Sequence, residues 1–318
     1  MVSNSPNFQK GFKFNRFRKE EVTPILISLV VYIGWLFLFV GFRNDHLYFI
    51  AFFLTMYLLH PISRRMILSF AFFLLFWILY DSMRVIPNYD INPVHIVEPY
   101  NLEKAFFGIQ CDDRILTPNE YYAENTNSLK DLLAGFFYLT WVPLPILYGM
   151  WLFFKDRPML IKFSIAFLMA NIFGFVIYYM YPAAPPWYIM LHGNVENFNI
   201  PGNAANLMRF DALIGSPIFQ NMYNKNANVF AAIPSLHAAY PIILFYFGLK
   251  KKYKWLSVIF FIDVIGIWFA AVYSLHHYII DLILGGFCAI FAIFAFELVS
   301  RRNKFQELLY RFINYSAG

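Results

Sequence analysis

Long, nearly unbroken apolar blocks dominate the pattern of hydrophobic and polar positions along the chain. Soluble domains space their apolar residues at helical or strand periods, and these blocks do not. A helix needs about 20 apolar residues to cross the core of a bilayer, with a range of about 17 to 25. The pattern therefore predicts eight membrane-spanning helices, at 24–41, 47–59, 66–80, 132–154, 161–181, 238–249, 255–273 and 278–296. The second, third and sixth blocks are short, and they reach spanning length only if flanking polar residues lie within the bundle or at the membrane interface.

The distribution of Lys and Arg gives this topology an orientation. With eight spans and a cytoplasmic N-terminus, the inside segments are 1–23, 61–65, 155–162, 250–254 and 299–318. These hold 18 of the 25 Lys and Arg residues, and the outside segments hold the other seven. Short cytoplasmic connections rich in Lys and Arg are what the positive-inside rule requires. The charges therefore predict that both termini are cytoplasmic.

Composition supports a membrane protein and removes another class of function. Hydrophobic residues make up 60% of the chain and charged residues 14%, whereas soluble proteins carry about 25% charged residues. The net charge of +6 follows from the basic cytoplasmic segments, which set orientation and contact anionic lipid. We therefore expect no nucleic-acid partner.

The topology divides the chain into a basic cytoplasmic N-terminal segment (1–23), a transmembrane catalytic domain (24–298) and a cytoplasmic tail (299–318). Two outer loops are long, at 82–131 and 183–233, and both are rich in Asn, Pro and aromatic residues. Long loops over a pocket are often functional. We interpret them as interfacial lid segments, with plain surface loops as the alternative.

Polar residues cluster at the outer ends of several spans, where the bilayer makes ionisable groups costly. Asp81 and Arg84 follow the third span, and His237 opens the sixth. His277 and Asp281 open the eighth with i, i+4 spacing, which puts them on one helical face. The carboxylate can then fix the tautomer of His277, and His237 can act as a general acid or base across the substrate. A purely structural hydrogen-bonded pair explains the His277–Asp281 spacing equally well.

These residues also allow other interpretations. A metal site is conceivable, built from His237, His276, His277 and Asp281, although adjacent histidines on a helix rarely chelate one ion, and we expect no metal or other cofactor. A transporter or lipid-binding protein is a non-enzymatic alternative, but transporter sites usually lie near the membrane midplane. Asp263, midway along the seventh span, is expected to make a structural hydrogen bond within the bundle.

Two segments carry a resemblance to a known family. Residues 230–237, Phe-Ala-Ala-Ile-Pro-Ser-Leu-His, and residues 271–281, Ala-Val-Tyr-Ser-Leu-His-His-Tyr-Ile-Ile-Asp, resemble the last two signature motifs of the type 2 phosphatidic acid phosphatase superfamily. Together with Ala-Pro-Pro-Trp-Tyr at 184–188, they are similar to the inositol phosphorylceramide synthases of fungi and their bacterial relatives. Matches of that branch also occur at 80–84, 107–108 and 209–211. The resemblance implies an all-α integral membrane protein, with a six-helix phosphatase-type core and an N-terminal hairpin.

The resemblance also implies a role for individual residues. His277 is the expected nucleophile, which forms a phosphohistidine intermediate, and Asp281 is expected to orient it. His237 is expected to protonate the leaving lipid and then to deprotonate the incoming hydroxyl. Ser235, at the start of the sixth helix, is expected to bind phosphate oxygens, since helix N-termini favour anions. The remaining expected substrate-binding residues are Asp81, Arg84, Trp187, Tyr188 and His276. Each of the last four has an alternative role. Arg84 is then an interfacial anchor, Trp187 and Tyr188 are interfacial belt residues, and His276 is a supporting loop residue.

Two departures from the phosphatase pattern favour a transferase. The region 171–187 contains neither Lys nor Arg, where phosphatases have a Lys-x6-Arg-Pro motif, and Ala271 occupies the position of an Arg six residues before the nucleophile. A doubly charged phosphomonoester suits several fixed cations, whereas a singly charged phosphodiester needs fewer.

The resulting hypothesis is a transferase that moves phosphoinositol from a phosphatidylinositol-type donor to a ceramide-type hydroxyl and releases diacylglycerol. The alternative is a lipid phosphate or pyrophosphate phosphatase of the same superfamily. We expect the active site on the periplasmic or lumenal face, and a bacterial inner membrane as the location. The sequence leaves the oligomeric state open.

Overall fold

The structure is a computed structural model that describes residues 19–224 and 228–317. Residues 1–18 of the predicted N-terminal segment and residues 225–227 of the second outer loop lie outside the described residues. The regular secondary structure of the described residues is helical apart from one short β-hairpin, which confirms the expected all-α class. The described residues divide into two compact units, 19–68 and 69–317.

The first unit contains the predicted N-terminal hairpin. Helix α1 (Lys19–Trp35) continues as a π-helical turn (Leu36–Val40), and α2 (Asn44–Leu59) and α3 (Pro61–Ser69) follow. Arg64 is buried and pairs with Glu21 at 2.8 Å. The Tyr57 hydroxyl donates to the Glu21 carbonyl at 2.8 Å. A buried charge must be paired to be tolerated, so this ion pair joins α1 to α3.

The second unit is a helix bundle. Its long apolar helices are α4 (Ala71–Ser82), α7 (Ser128–Thr140), α8 (Pro143–Lys155), α9 (Arg157–Met180), α13 (Leu236–Lys250), α14 (Lys254–Tyr273) and α15 (Ile279–Val299). Helix α13 packs against α14, α15 and α9, and α7 packs against α14. The bundle thus places the starts of α13 and α15 side by side.

Within residues 19–224 and 228–317, length and apolar composition identify four helical segments that can cross a membrane, or up to six if each bent pair forms one span. The bent pairs are α3 with α4, and α7 with α8. Helices α2 and α13 have 16 and 15 residues, which is short for a crossing of about 20 residues. A multi-pass membrane protein is therefore supported, while the count of eight spans stays a prediction.

The two outer loops contain short elements. The first holds a 3₁₀ turn (Asn88–Asp90), α5 (Val97–Phe107), a hairpin of β1 (Ile109–Cys111) and β2 (Arg114–Leu116), and α6 (Pro118–Glu124). The second holds α10 (Pro186–His192), α11 (Leu207–Ile214) and α12 (Ile218–Tyr223). Backbone hydrogen bonds join the first loop to the second: the His95 amide donates to the Pro182 carbonyl at 2.8 Å, and the Ala184 amide donates to the His95 carbonyl at 2.9 Å.

The tail forms a further helix, α16 (Asn303–Ala317), which contacts α9. Its partly buried positions include Phe305, Leu309 and Phe312, at helical spacing, while Glu307 and Arg311 are exposed. A helix with this division of polar and apolar faces is suited to a membrane interface.

Midway along α14, the expected hydrogen bond of Asp263 is present. Its carboxylate oxygen lies 2.6 Å from the Thr140 hydroxyl, which joins α14 to α7.

Candidate active site

The turn between α14 and α15 carries two of the predicted site residues, His276 and His277. Helix α14 ends at Tyr273, and the amides of His276 and His277 both donate to the Ala271 carbonyl at 3.1 Å. Leu275 has a φ of 66°, a left-handed conformation that reverses the chain within the turn. The two adjacent histidine rings consequently face different neighbours.

His237, His277 and Asp281 lie together. Nδ1 of His277 is 3.3 Å from Oδ2 of Asp281, and Nε2 of His277 is 3.1 Å from Nδ1 of His237. The Tyr278 amide donates to the same Asp281 oxygen at 2.9 Å. A carboxylate accepts only, so Nδ1 of His277 carries the proton and Nε2 presents its lone pair towards His237.

Burial differs among the three residues. Asp281 is fully buried and His277 is 5% exposed, whereas His237 is partly exposed. Burial lowers the pKa of His277 to about 4, because a charged imidazolium loses its hydration there. His277 is therefore neutral at physiological pH, as a nitrogen nucleophile must be.

Ser235 joins the starts of α13 and α15. It is fully buried, its hydroxyl accepts the Ala238 amide at 3.3 Å as the N-cap of α13, and its own amide donates to the Asp281 carbonyl at 2.9 Å. This contact requires Gly285, because a β-carbon there would lie 2.1 Å from the Ser235 carbonyl oxygen. The sequence-predicted role of Ser235 in binding phosphate stays a prediction.

His276 faces away from the triad. Its Nε2 lies 3.1 Å from the Asn203 carbonyl, and its Nδ1 lies 3.1 Å from the Ser274 hydroxyl. Burial lowers the pKa of His276 to about 3, so the ring is neutral, and its Nδ1 also lies 3.0 Å from the Ser274 carbonyl. These contacts suit a residue that supports the turn, and contact with substrate stays a prediction.

The four residues that the sequence offered as a possible metal site do not share one centre, because His276 is directed to Asn203 and Ser274. Across residues 19–224 and 228–317, no group of three or more His, Cys, Asp or Glu side chains is arranged to hold a metal ion.

Trp187 and Tyr188 lie in α10 of the second outer loop, next to the turn between α14 and α15. Both are buried, in a cluster that includes Phe230 and Leu275. The Trp187 amide donates to the Leu275 carbonyl at 3.0 Å, and the Tyr188 hydroxyl donates to the Val195 carbonyl at 2.8 Å. Trp187 and Tyr188 therefore support the turn between α14 and α15, and their contact with substrate stays a prediction.

Asp81 and Arg84 form an ion pair of 3.4 Å at the end of α4, with Arg84 partly exposed. The hydrogen bonds given above for His237, His277 and Asp281 do not involve this ion pair. A role for this pair in binding the head group is therefore a prediction that these contacts do not test.

The sequence did not single out the aromatic wall around the histidines. The Tyr138 ring lies 5.0 Å from the His237 ring, and the Trp141 ring lies 4.6 Å from it. The Tyr223 hydroxyl donates to that of Tyr138 at 2.9 Å, and the Tyr223 ring lies 4.3 Å from His276. The sequence shows the i, i+3 spacing of Tyr138 and Trp141. Aromatic residues near span ends are common in interfacial belts, so this spacing alone does not indicate a site.

Two polar residues of the first outer loop were also missed, namely Glu103 and Asn119. Both are fully buried. Burial raises the pKa of Glu103 to about 7, which two backbone hydrogen bonds oppose. Buried polar groups in loops have no periodic signature, so only the folded chain reveals them.

Comparison with known proteins shows the family of the chain. The family model of the PAP2 superfamily matches residues 116–296. The chain is 39% identical over 300 residues to the phosphoinositol dihydroceramide synthase of Bacteroides thetaiotaomicron, which covers 93% of this chain and 98% of that protein.

Two fungal relatives are more distant. The chain is 28% identical over 275 residues to the inositol phosphorylceramide synthase catalytic subunit of Schizosaccharomyces pombe, covering 81% of this chain and 60% of that protein. It is 27% identical over 293 residues to the corresponding subunit of Saccharomyces cerevisiae, covering 84% and 67%. No solved structure matches the chain significantly. The family match includes His237, His277 and Asp281 and extends over more than half of the sequence, and the chain belongs to the PAP2 superfamily.

Proposed function

We propose that this protein transfers a phosphoinositol-type head group from a glycerophospholipid to the hydroxyl of a ceramide-type lipid. The observation that carries the proposal is the His237–His277–Asp281 arrangement in a chain similar over nearly its whole length to a protein named phosphoinositol dihydroceramide synthase. His277 is neutral and oriented by Asp281, which suits nucleophilic attack on phosphorus.

The transfer proceeds in two steps. Nε2 of His277 attacks the phosphorus and a P–N bond forms. The P–O bond to diacylglycerol breaks as His237, protonated beside the phosphodiester anion, gives that proton to the departing oxygen and becomes neutral. The ceramide hydroxyl then gives its proton to His237 and attacks the phosphorus, and the P–N bond breaks. In each step one proton is transferred and one bond to phosphorus replaces another. After the second step the enzyme is back in its starting state.

The scarcity of fixed positive charge favours a phosphodiester substrate. Ala271, which stands where phosphatases have an Arg, is fully buried, and its carbonyl is used by the amides of the catalytic turn. The 171–187 segment also contains no Lys or Arg. A phosphodiester carries one negative charge, so it needs less compensation than a monoester.

We also propose a location and a membrane orientation for the protein. Both termini are cytoplasmic, and the triad opens to the periplasmic or lumenal face, in a bacterial inner membrane. The supporting observation is the excess of Lys and Arg in the segments assigned to the inside, in keeping with the positive-inside rule.

The test uses the full-length protein in detergent with phosphatidylinositol labelled in the inositol ring, with and without ceramide. We expect labelled inositol phosphorylceramide and diacylglycerol with ceramide present, and label bound to the protein in its absence. Release of free inositol phosphate regardless of ceramide would indicate a hydrolase. Absence of any labelled product would contradict the proposed function.

A further inference from the structure

The turn that carries His277 is held from outside by Asn119 of α6. The Nδ2 group of Asn119 donates to the Val272 carbonyl and to the His277 carbonyl, both at 2.9 Å. Val272 lies in the last turn of α14, and His277 precedes α15. One buried amide therefore ties together the two sides of the catalytic turn.

Glu103 of α5 holds the next residues of the same turn. Its two carboxylate oxygens accept the amides of Ile279 and Ile280, at 3.0 and 3.2 Å. These are the first two residues of α15, whose amides have no partner within the helix. A carboxylate at a helix N-terminus also interacts favourably with the helix dipole.

The two contacts bracket the nucleophile. Asn119 fixes the backbone carbonyl of His277, and Glu103 fixes the helix start that lies between His277 and Asp281. The His277–Asp281 contact of 3.3 Å depends on the relative position of that carbonyl and that helix start. A displacement of about 1 Å at a reacting group can cost on the order of 100-fold in rate.

We propose that Glu103 and Asn119 are positioning residues that hold His277 in line with Asp281 and His237. The first outer loop thereby determines the geometry of the nucleophile, although neither residue touches the reacting atoms. This inference rests on the proposed function for its effect on catalysis, while its effect on the turn is independent of the substrate.

The experiment compares Glu103→Gln and Asn119→Ala with two matched controls in the full-length protein. Gln has one acceptor oxygen, so its amide group faces a backbone N–H, whereas Ala leaves two carbonyls without their donor. Glu98→Gln and Asn101→Ala alter exposed side chains of α5. Thermal unfolding in detergent identifies the temperature at which all five proteins are folded, and both measurements are made there.

Two readouts separate positioning from a general structural role. We expect kcat for head-group transfer to fall by about 10- to 100-fold in both test variants, with KM for both lipids within about twofold of the wild type. We also expect faster hydrogen–deuterium exchange in peptides covering 277–281, with no change in either control.

Exchange at 277–281 that matches the controls would overturn the inference. So would faster exchange accompanied by unchanged kcat, because the turn would then not need these contacts for catalysis. If the wild type transfers no head group, the proposed function fails, and the exchange measurement alone decides whether the two residues hold the turn.

Discussion

Nδ1 of His237 lies 3.1 Å from Nε2 of His277, so the two histidines are in direct contact. The sequence suggested that they act from opposite sides of the substrate. In this arrangement the lone pair of the nucleophile accepts a hydrogen bond from His237. A phosphorus atom must displace that contact before His277 can attack, and the displaced His237 is then beside the departing oxygen.

Replacement of Asp281 tests the orientation of the nucleophile. Asp281→Asn offers an amide to Nδ1 of His277, which favours the tautomer with its proton on Nε2 and removes the attacking lone pair. A comparable change in a serine protease triad costs about 10⁴-fold, and we expect a loss of kcat of at least about 100-fold. Steady-state kinetics with saturating lipids measures it, and an unchanged kcat would show that Asp281 does not set the tautomer.

Gly285 tests the close contact between the starts of α13 and α15. A β-carbon at Gly285 would lie 2.1 Å from the Ser235 carbonyl, which forces the helices apart. We expect Gly285→Ala to lose about 1–3 kcal/mol of stability and most of its activity.

The neighbouring glycine is a matched control for this change. A β-carbon at Gly286 meets its nearest atom, in Trp268, at an ordinary 3.4 Å. Gly286→Ala should therefore keep its activity and, because Ala favours helix, its thermal stability. Equal effects of the two substitutions would contradict the close-contact explanation.

The pH dependence of transfer reports the environment of His277. Burial lowers the pKa of His277 to about 4, from an ordinary value of 6.5. A nitrogen nucleophile attacks only when neutral, so the rate should not fall as the pH decreases from 6 to 5, and it should decline as the pH passes through about 4. Single-turnover rates between pH 4 and 6 measure this, and a rate already falling tenfold between pH 6 and 5 would contradict it.

The sequence predicted the parts of the site that have a regular signature. The i, i+4 spacing of His277 and Asp281 gave their contact, because a helix start brings such residues onto one face. The apolar blocks gave the long helices α9, α14 and α15, since each is long enough to be recognised by hydropathy alone.

Other features depended on tertiary contacts that have no periodic pattern. The direct His237–His277 contact arises from α13 packing against α15 at Gly285. Glu103 is 176 residues from Ile279 along the chain, so no local rule could pair them. The bend between α7 and α8 lies within one apolar block, where hydropathy alone predicted a single span at 132–154.

The most direct test of the account is head-group transfer by the His277→Ala variant. Transfer from labelled phosphatidylinositol to ceramide is compared in the wild type, in His277→Ala and in His192→Ala, which alters an exposed histidine of the second outer loop. We predict that His192→Ala retains transfer and that His277→Ala loses about 10³-fold or more, as removal of a nucleophile does. Full activity in His277→Ala would contradict the proposed chemistry.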